Sequence, residues 1–580
     1  MKIVSRESLE RIRKRLVKLY GERAPELLER LHMMIGRYGV GINVVPLTER
    51  WTEKDTLLIT YADMVQCEDE RPLVTLKRFL EKRLPGTFRT VHILPFSPWT
   101  SDDGFSVVDY RKVDSRYGEW QDIEALSQTF QTMFDLVLNH CSSESPWFQD
   151  FVQGIQPYND YFITADPEED HSKVVRPRPW PLLTKVRTRE GEQHVWTTFS
   201  ADQVDLNWQN PNVLFEFIDI LFFYISKGMR IIRLDAVAFL WKQAGTSCIH
   251  LEETHEVVKL FRDLVNMVAP QTILLTETNV PHEENISYFG NRDEAHIVYQ
   301  FSLPPLLLYS LLRGTCAELR QWATSLPPLE EGTTFLNFTA SHDGIGVRPL
   351  HGLLAQEDLQ WLVEEVQQRD GHVSIRRMAD GSESPYELNI TYASALSDKE
   401  DSAVGRQRFL CSQAVAMSMR GIPALYFHSL MGTENDLAGV EEHGHARAIN
   451  RKKWNEQELE DLITQEDGNA SKIFEAIRAL LRRRANHPAF HPDAQQEILD
   501  IGDSVFAFVR VAKDSSQRVL CLFNVTAEAK PVVMETALSA LNWNSETHQK
   551  LRNLTHGLFI DHEAECIPLS SYQYCWITTE

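Results

Sequence analysis

Eight short runs of apolar and β-branched residues recur along this chain, and stretches with helical spacing separate them. Such runs are typical of strands buried on both faces, and their alternation with helices predicts a parallel sheet. Eight strand–helix units favour a closed (β/α)8 barrel, the TIM barrel. An open doubly wound sheet would need a Gly-rich turn after the first strand, and the sequence has none there. The predicted strands are residues 56–61, 91–94, 133–138, 229–234, 273–276, 297–301, 335–339 and 424–427.

The segments around these strands predict the domain organisation. Residues 1–50, with apolar side chains at helical spacing, predict a helical N-terminal extension. The barrel takes residues 51–140, 206–343 and 399–495. An inserted domain B follows the third strand at 141–205, and a loop-rich insertion follows the seventh strand at 344–398; insertions of this length are typical of lids and binding loops. Alternating strands at 496–580 predict a C-terminal antiparallel β-domain.

The composition excludes some classes of partner. The chain has 580 residues, with 59 Lys and Arg against 82 Asp and Glu, a net charge of −23. This balance argues against binding to nucleic acid or to an anionic membrane, because both attract positive surfaces. No apolar signal region and no run of about 18 apolar residues is present, and the eight cysteines form no CxxC pair. We therefore expect a cytoplasmic protein with reduced thiols and without a metal or cofactor, whose oligomeric state the sequence leaves open.

Three acidic residues stand at the ends of three predicted strands: Asp235, Glu277 and Asp343. Strand ends of one barrel converge on one pocket. Glycosyl transfer with retention needs two carboxyl groups about 5–5.5 Å apart, one as nucleophile and one as acid and then base. Arg233 lies two residues before Asp235, on the same side of its strand, where a cation would keep a carboxylate ionised.

Four ordered motifs make the resemblance to a known family specific. Residues 135–140 read Asp-Leu-Val-Leu-Asn-His, residues 233–237 read Arg-Leu-Asp-Ala-Val, residues 276–279 read Thr-Glu-Thr-Asn and residues 340–343 read Ala-Ser-His-Asp. This set resembles the α-amylase family, glycoside hydrolase family 13. The resemblance implies that Asp235 is the nucleophile, Glu277 the general acid/base and Asp343 the stabiliser of the transition state. It also implies that His140 and His342 bind glucose hydroxyl groups.

Further segments are similar to the sucrose phosphorylase subfamily, whose relatives include the glucosylglycerol and glucosylglycerate phosphorylases. These are residues 102–105, 245–248, 301–306 and 342–346, within a resemblance that covers about 55–510. By this similarity Asp102 closes the far side of the glucose site, Phe105 forms an apolar platform, and Gln203 and Arg447 hold further hydroxyl groups. A surface salt bridge is the alternative interpretation of Arg447.

A phosphorylase also needs a site for inorganic phosphate, its second small-molecule substrate. Arg178, within an Arg-Pro-Arg-Pro run at 176–179, matches the phosphate-binding arginine of the subfamily, and Tyr386 matches its phosphate-contacting tyrosine. The planar guanidinium of arginine donates to phosphate oxygens in pairs. The alternative for Arg178 is a rigid loop that exposes a charge.

The segment 380–389 bears on the acceptor. We expect a basic residue at position 383 in an enzyme that binds glycerate, and this chain has Glu383, with Glu387 nearby. Acidic side chains repel a carboxylate and accept hydrogen bonds from a polyol. The sequence therefore favours phosphorolysis of 2-O-α-D-glucosylglycerol to α-D-glucose 1-phosphate and glycerol.

The sequence alone leaves other functions and acceptors open. The acceptor could instead be glycerate, fructose or fructose 6-phosphate. The same scaffold could serve a hydrolase or transglucosylase, which would not require phosphate. A barrel that binds without catalysis is a further class, and the complete set of Asp235, Glu277 and Asp343 argues against it.

Overall fold

A computed structural model describes residues 6–39, 49–178, 180–377, 383–544 and 550–580. Parts of three predicted segments therefore lie outside the described residues. These are the two ends of the N-terminal extension, Pro179 of the Arg-Pro-Arg-Pro run, and residues 380–382 of the acceptor segment.

Eight parallel strands close into a barrel, as the sequence predicts. Each strand pairs with its neighbour in chain order, and β1 pairs with β8 to close the ring. Every barrel strand is almost wholly buried, which explains their continuous apolar character. The strands are β1 Leu57–Thr60, β2 Thr90–Ile93, β3 Gln131–Val137, β4 Met229–Asp235, β5 Ile273–Thr276, β6 Ile297–Tyr299, β7 Thr334–Asn337 and β8 Ile422–Tyr426.

Helices connect these strands, and several begin with signals that the sequence contains. Proline stands in the first turn of Pro72–Arg83 and of Pro211–Ser226, where its missing N–H has no helical partner to lose. The Asp401 side chain caps Ser402–Ser418 by accepting from the N–H groups of Ala403 and Val404. The other main helices are Trp120–Ser127, Glu252–Val268, Leu303–Arg313 and Asn469–Arg484.

The N-terminal extension forms two helices that pack on the barrel. Helix α1, Arg6–Tyr20, lies against Glu252–Val268, and helix α2, Ala24–Gly39, lies against Pro211–Ser226. Arg15 anchors the first contact, because its Nε donates to Asp263 Oδ2 at 2.7 Å. The apolar side chains that α1 and α2 bury belong to the main core.

Two groups of short strands interrupt the barrel above its carboxyl ends. Between β3 and β4, His140–Ser142 pairs with Gln203–Asp205, and Leu183–Thr188 pairs with Gly191–Trp196. After β7, a three-stranded antiparallel sheet forms, in the order Ile345–Gly346, Glu383–Asn389, His372–Arg377. Both groups line the pocket described below.

The C-terminal β-domain is also present as predicted. It contains a six-stranded antiparallel sheet, whose strands are β9 Gln495–Leu499, β10 Val505–Val511, β11 Arg518–Asn524, β12 Leu551–Asn553, β13 Leu558–Ile560 and β14 Tyr574–Thr579. Arg510 and Trp576 attach this sheet to the barrel by donating to Ser418, at 2.9 Å to its carbonyl oxygen and 2.7 Å to its hydroxyl.

No helix within the described ranges has the length and apolar character needed to cross a bilayer. Over the same ranges, no group of three His, Cys, Asp or Glu side chains is arranged to hold a metal ion.

Arg484 joins the base of the barrel to the helix that carries it. The side chain is fully buried and donates to the carbonyl groups of Met417 at 2.8 Å, Glu53 at 2.5 Å, Gly421 at 3.2 Å and Phe490 at 2.9 Å. Burial lowers its pKa to about 10, so the group remains charged at neutral pH.

We predict that Arg484→Leu lowers the free energy of unfolding by about 3 kcal/mol or more, because it leaves several buried carbonyl groups without donors. Arg482→Leu is the matched control, since Arg482 lies on the same helix, is exposed and donates only to the Pro85 carbonyl among the described residues. The measurement is urea unfolding of both variants, and equal midpoints would contradict the prediction.

Candidate active site

The three strand-end acids line one pocket. Asp235 is the last residue of β4, Glu277 follows β5 directly, and Asp343 lies in the loop after β7. The pocket has a volume of about 1080 Å³, including its open mouth. The structure thus brings together the three carboxyl groups that the sequence places at separate strand ends.

The Arg233 guanidinium lies beneath the nucleophile candidate. Its Nη1 donates to Asp235 Oδ1 at 2.6 Å and also to Asp135 on the neighbouring strand β3, while Nη2 lies 4.0 Å from Glu277 Oε2. The rings of Phe105 and Tyr299 cover it at 5.6 and 5.7 Å. Arg233 is only 3% exposed, so these charge-assisted contacts are shielded from water and salt.

Asp235 and Glu277 are two buried carboxyl groups that act on each other's pKa. Burial raises the pKa of both carboxyl groups, Arg233 lowers both, and the negative charges around them raise both again. Two interacting acids of this kind release their protons in separate steps. Because Arg233 donates directly to Asp235 and stays 4.0 Å from Glu277, we place the proton on Glu277 and the charge on Asp235.

Asp343 is held ionised by arginines. Burial acts to raise its pKa, but Arg447, His342 and Arg451 outweigh burial and lower it. Arg447 Nη1 lies 2.6 Å from Asp343 Oδ1. Arg451 supports the same loop from below, because its Nε donates to the His342 carbonyl at 2.9 Å and its Nη1 binds Asp103.

Asp102 lines the pocket beside Arg178 and Gln203. Its carboxylate accepts from Arg178 Nη2 at 3.0 Å and from Gln203 Nε2 at 3.4 Å, and it lies 3.7 Å from Arg447 Nη1. Burial raises the pKa of Asp102, but the three arginines 178, 447 and 451 hold it well below its usual range. Asp102 and Asp103 both have positive φ, 52° and 47°; such backbone strain is common where a binding residue must point into a site.

Two histidines, His140 and His342, line the same pocket as Asp102. The His342 ring stacks on Phe105 with centroids 4.8 Å apart and planes within 4°. His140 Nε2 lies 3.0 Å from the Phe105 carbonyl oxygen and 3.2 Å from Gln203 Nε2. Burial lowers the pKa of His140 to about 4 and that of His342 to about 3, so both rings are neutral at physiological pH.

The mouth of the pocket is formed by the sheet after β7. Tyr386 lines it, and burial raises the pKa of its hydroxyl to about 12. Glu387 is buried and paired with Arg447: its Oε2 accepts from Arg447 Nη2 at 3.1 Å, and its Oε1 accepts from the Gly344 N–H. A Cβ at Gly344 would lie 2.6 Å from Glu387 Cγ, which explains the glycine of this motif. Glu383, by contrast, is exposed at the start of its strand and does not line the pocket.

The catalytic-domain model of the α-amylase family matches residues 87–324. The chain is 46% identical to the glucosylglycerate phosphorylase of Spirochaeta thermophila, over 90% of each chain, and 49% identical to that of Allomeiothermus silvanus, over 88% of this chain and 91% of the relative. The chain belongs to the α-amylase family. It is a glycoside phosphorylase of that family.

More distant relatives of this phosphorylase are named for other glucosides. The glucosylglycerol phosphorylase of Marinobacter adhaerens is 30% identical, over 75% of this chain and 87% of the relative. The crystal structure of sucrose 6F-phosphate phosphorylase from Thermoanaerobacter thermosaccharolyticum superposes with a TM-score of 0.71 at 26% identity, over 83% of this chain and 96% of that chain.

Several residues that organise the phosphorylase pocket were not selected from the sequence. Asp135 begins the first of the four motifs. Nothing in the local sequence shows that it meets both Arg233 and His92, the latter at 2.6 Å. Lys242 is buried and donates to Asn139 Oδ1 and to Asp205 Oδ2, the second at 2.7 Å. This contact ties domain B to the strand end that carries His140. Arg451 lies four residues after Arg447. This spacing from a residue already assigned to the pocket is the one sequence signal that could have indicated it.

We predict that Arg233→Gln moves the acid limb of the pH profile of kcat/KM to higher pH. Asp235 must be ionised to attack, and loss of the cation raises its pKa further, so activity disappears at a higher pH as the solution is acidified. Arg230→Gln is the control, because Arg230 lies on the same strand at the opposite end, where it donates to the Arg50 carbonyl at 2.9 Å. An unchanged acid limb in Arg233→Gln would contradict the assignment.

Proposed function

We propose that this enzyme catalyses the reversible phosphorolysis of 2-O-α-D-glucosylglycerate to α-D-glucose 1-phosphate and glycerate, with retention of configuration. One observation carries the proposal: the acid pair Asp235 and Glu277 opens toward a pocket wall that contains Arg178 and Tyr386. Such a pocket provides a nucleophile, a proton donor and a cationic place for an anion that replaces the acceptor.

The first step transfers the glucosyl group to the enzyme. The Asp235 carboxylate attacks the anomeric carbon, while Glu277 gives its proton to the oxygen that leaves with the acceptor. Asp343, kept ionised by Arg447, stabilises the positive charge that develops on the sugar ring. Asp102, Gln203, His140 and His342 hold the hydroxyl groups, and Phe105 supports the ring. As the subfamily resemblance implies, Asp102 limits the site to a single glucosyl unit.

The second step transfers the glucosyl group to phosphate. Arg178 uses one N–H for Asp102, and its guanidinium has further donors for phosphate oxygens. The Tyr386 hydroxyl stays protonated, since burial raises its pKa to about 12, and it can therefore donate to the same anion. A phosphate oxygen attacks the anomeric carbon, the bond to Asp235 breaks and frees its carboxylate, and Glu277 takes up the proton of the phosphate. The product is α-D-glucose 1-phosphate, because two inversions restore the configuration.

Glycerate is favoured over glycerol as the acceptor for two reasons. The preference for glycerol rested on repulsion by Glu383 and Glu387; Glu383 is exposed and does not line the pocket, and Glu387 is paired with Arg447. In addition, the relatives named for glucosylglycerate are 46–49% identical, against 30% for the relative named for glucosylglycerol. Arg348, which also lines the pocket, suits an acidic acceptor.

We predict that Glu277→Gln lowers kcat for the glucoside by about 10²–10⁴-fold, the contribution typical of general acid catalysis. The loss should be much smaller with α-glucosyl fluoride, whose leaving group needs no proton. Phosphate-dependent turnover of both donors is the measurement. An equal loss with both donors would contradict the role of Glu277 as proton donor.

The substrate assignment is tested by incubating the enzyme with glucose 1-phosphate and one acceptor at a time: glycerate, glycerol, fructose or fructose 6-phosphate. We expect phosphate release to be fastest with glycerate. Faster release with glycerol would restore the glucosylglycerol assignment. Release of glucose from glucosylglycerate at an equal rate with and without phosphate would indicate a hydrolase instead.

A further inference from the structure

Most arginines that face the pocket are already paired with carboxylates. Arg233 binds Asp135 and Asp235, Arg447 binds Asp343 and Glu387, and Arg178 binds Asp102. These pairs offset the cost of burying each charge.

Arg348 is different. It lines the same pocket, and among the residues that the structure describes it forms no ion pair with a carboxylate. Its backbone is fixed, because Ile345–Gly346 pairs with the strand that carries Glu387 and the Val347 N–H donates to the Tyr386 carbonyl at 3.1 Å.

A second arginine, Arg376, lies on the other edge strand of the three-stranded sheet. Arg376 pairs with Ser384 across the hairpin, and its Nε is buried without a hydrogen-bond partner within the described part of the chain. Burial and the nearby charge of Arg348 lower its pKa, and Tyr386 raises it. Arg348 follows one edge strand of this sheet and Arg376 lies on the other, with Tyr386 on the strand between them, so an anion bound there would relieve the repulsion of the two charges.

The position of Arg348 relative to the acid/base indicates which anion it suits. A Cβ at Gly346 would lie 2.5 Å from Asn279 Nδ2, so Gly346, two residues before Arg348, packs directly against Asn279, two residues after Glu277. This is the side of the pocket where the leaving oxygen receives its proton. In 2-O-glucosylglycerate the carboxylate is attached to the same carbon as that oxygen, so the carboxylate must lie close to Glu277.

We infer that Arg348, assisted by Arg376, binds the carboxylate of the acceptor and selects glycerate over neutral polyols. The inference rests on the proposed function and deepens it. The planar fork of an arginine fits a carboxylate through two parallel hydrogen bonds. With glycerol the guanidinium would remain unpaired in the occupied pocket, which costs binding energy and gives discrimination.

The test compares acceptors in the synthetic direction with Arg348→Gln. We expect kcat/KM for glycerate to fall roughly 10- to 100-fold, the range expected for a lost hydrogen bond to a charged group. The loss should appear mainly in KM for glycerate. The kcat/KM for glycerol should stay the same or rise, and KM for glucose 1-phosphate and for inorganic phosphate should not change. Arg348→Lys should recover part of the preference for glycerate, because it retains the charge without the fork.

Arg187→Gln provides the matched control, since Arg187 is exposed on Leu183–Thr188 of domain B and is absent from the pocket lining. Equal losses with glycerate and glycerol in Arg348→Gln would overturn the inference in favour of a structural role. A rise confined to KM for phosphate would overturn it in favour of a phosphate ligand. A wild-type enzyme that uses glycerol and not glycerate would overturn the proposed acceptor itself, and the role of Arg348 with it.

Discussion

The contact between Arg233 and Asp235 is the interaction on which the active site depends. Burying a guanidinium until it is 3% exposed is costly, and carboxylates that meet it directly offset that cost. Asp135 and Asp235 do so from adjacent strands, and Phe105 and Tyr299 exclude water. This arrangement favours the negative charge on Asp235 and the proton on Glu277, which are the states that the proposed mechanism needs.

The barrel makes this arrangement possible because parallel strands present their carboxyl ends at one rim. Arg233 and Asp135 lie opposite each other in the register of β4 and β3, and Glu277 follows the next strand. The two insertions then close the space above the rim. Lys242 fixes domain B to Asn139, and the sheet after β7 brings Tyr386, Glu387 and Arg348 to the mouth.

The arginines around the pocket act differently on the pKa of its acids. Where a carboxylate must stay ionised, at Asp102 and Asp343, several arginines surround it and lower its pKa. At Glu277, the proposed proton donor, the Arg233 guanidinium is 4.0 Å away and burial raises the pKa. The pocket lining holds three arginines, Arg178, Arg348 and Arg447, against five acidic residues, so which acid is ionised depends on how the fold pairs them.

The sequence by itself determined the barrel, its two insertions and the C-terminal sheet, because continuous apolar runs can be buried only in a covered parallel sheet and local motifs mark the strand ends. It also determined which acids to examine, since Asp235, Glu277 and Asp343 stand directly at those ends. The tertiary structure alone decided which charges meet. Glu383 and Glu387 are four residues apart on one strand, yet Glu387 is buried against Arg447 and Glu383 faces solvent. Asp135 and Arg451 meet partners far away in the chain, and no local pattern records such partners. The pairing of a charge depends on distance in space, which is why the acceptor could not be read from the sequence.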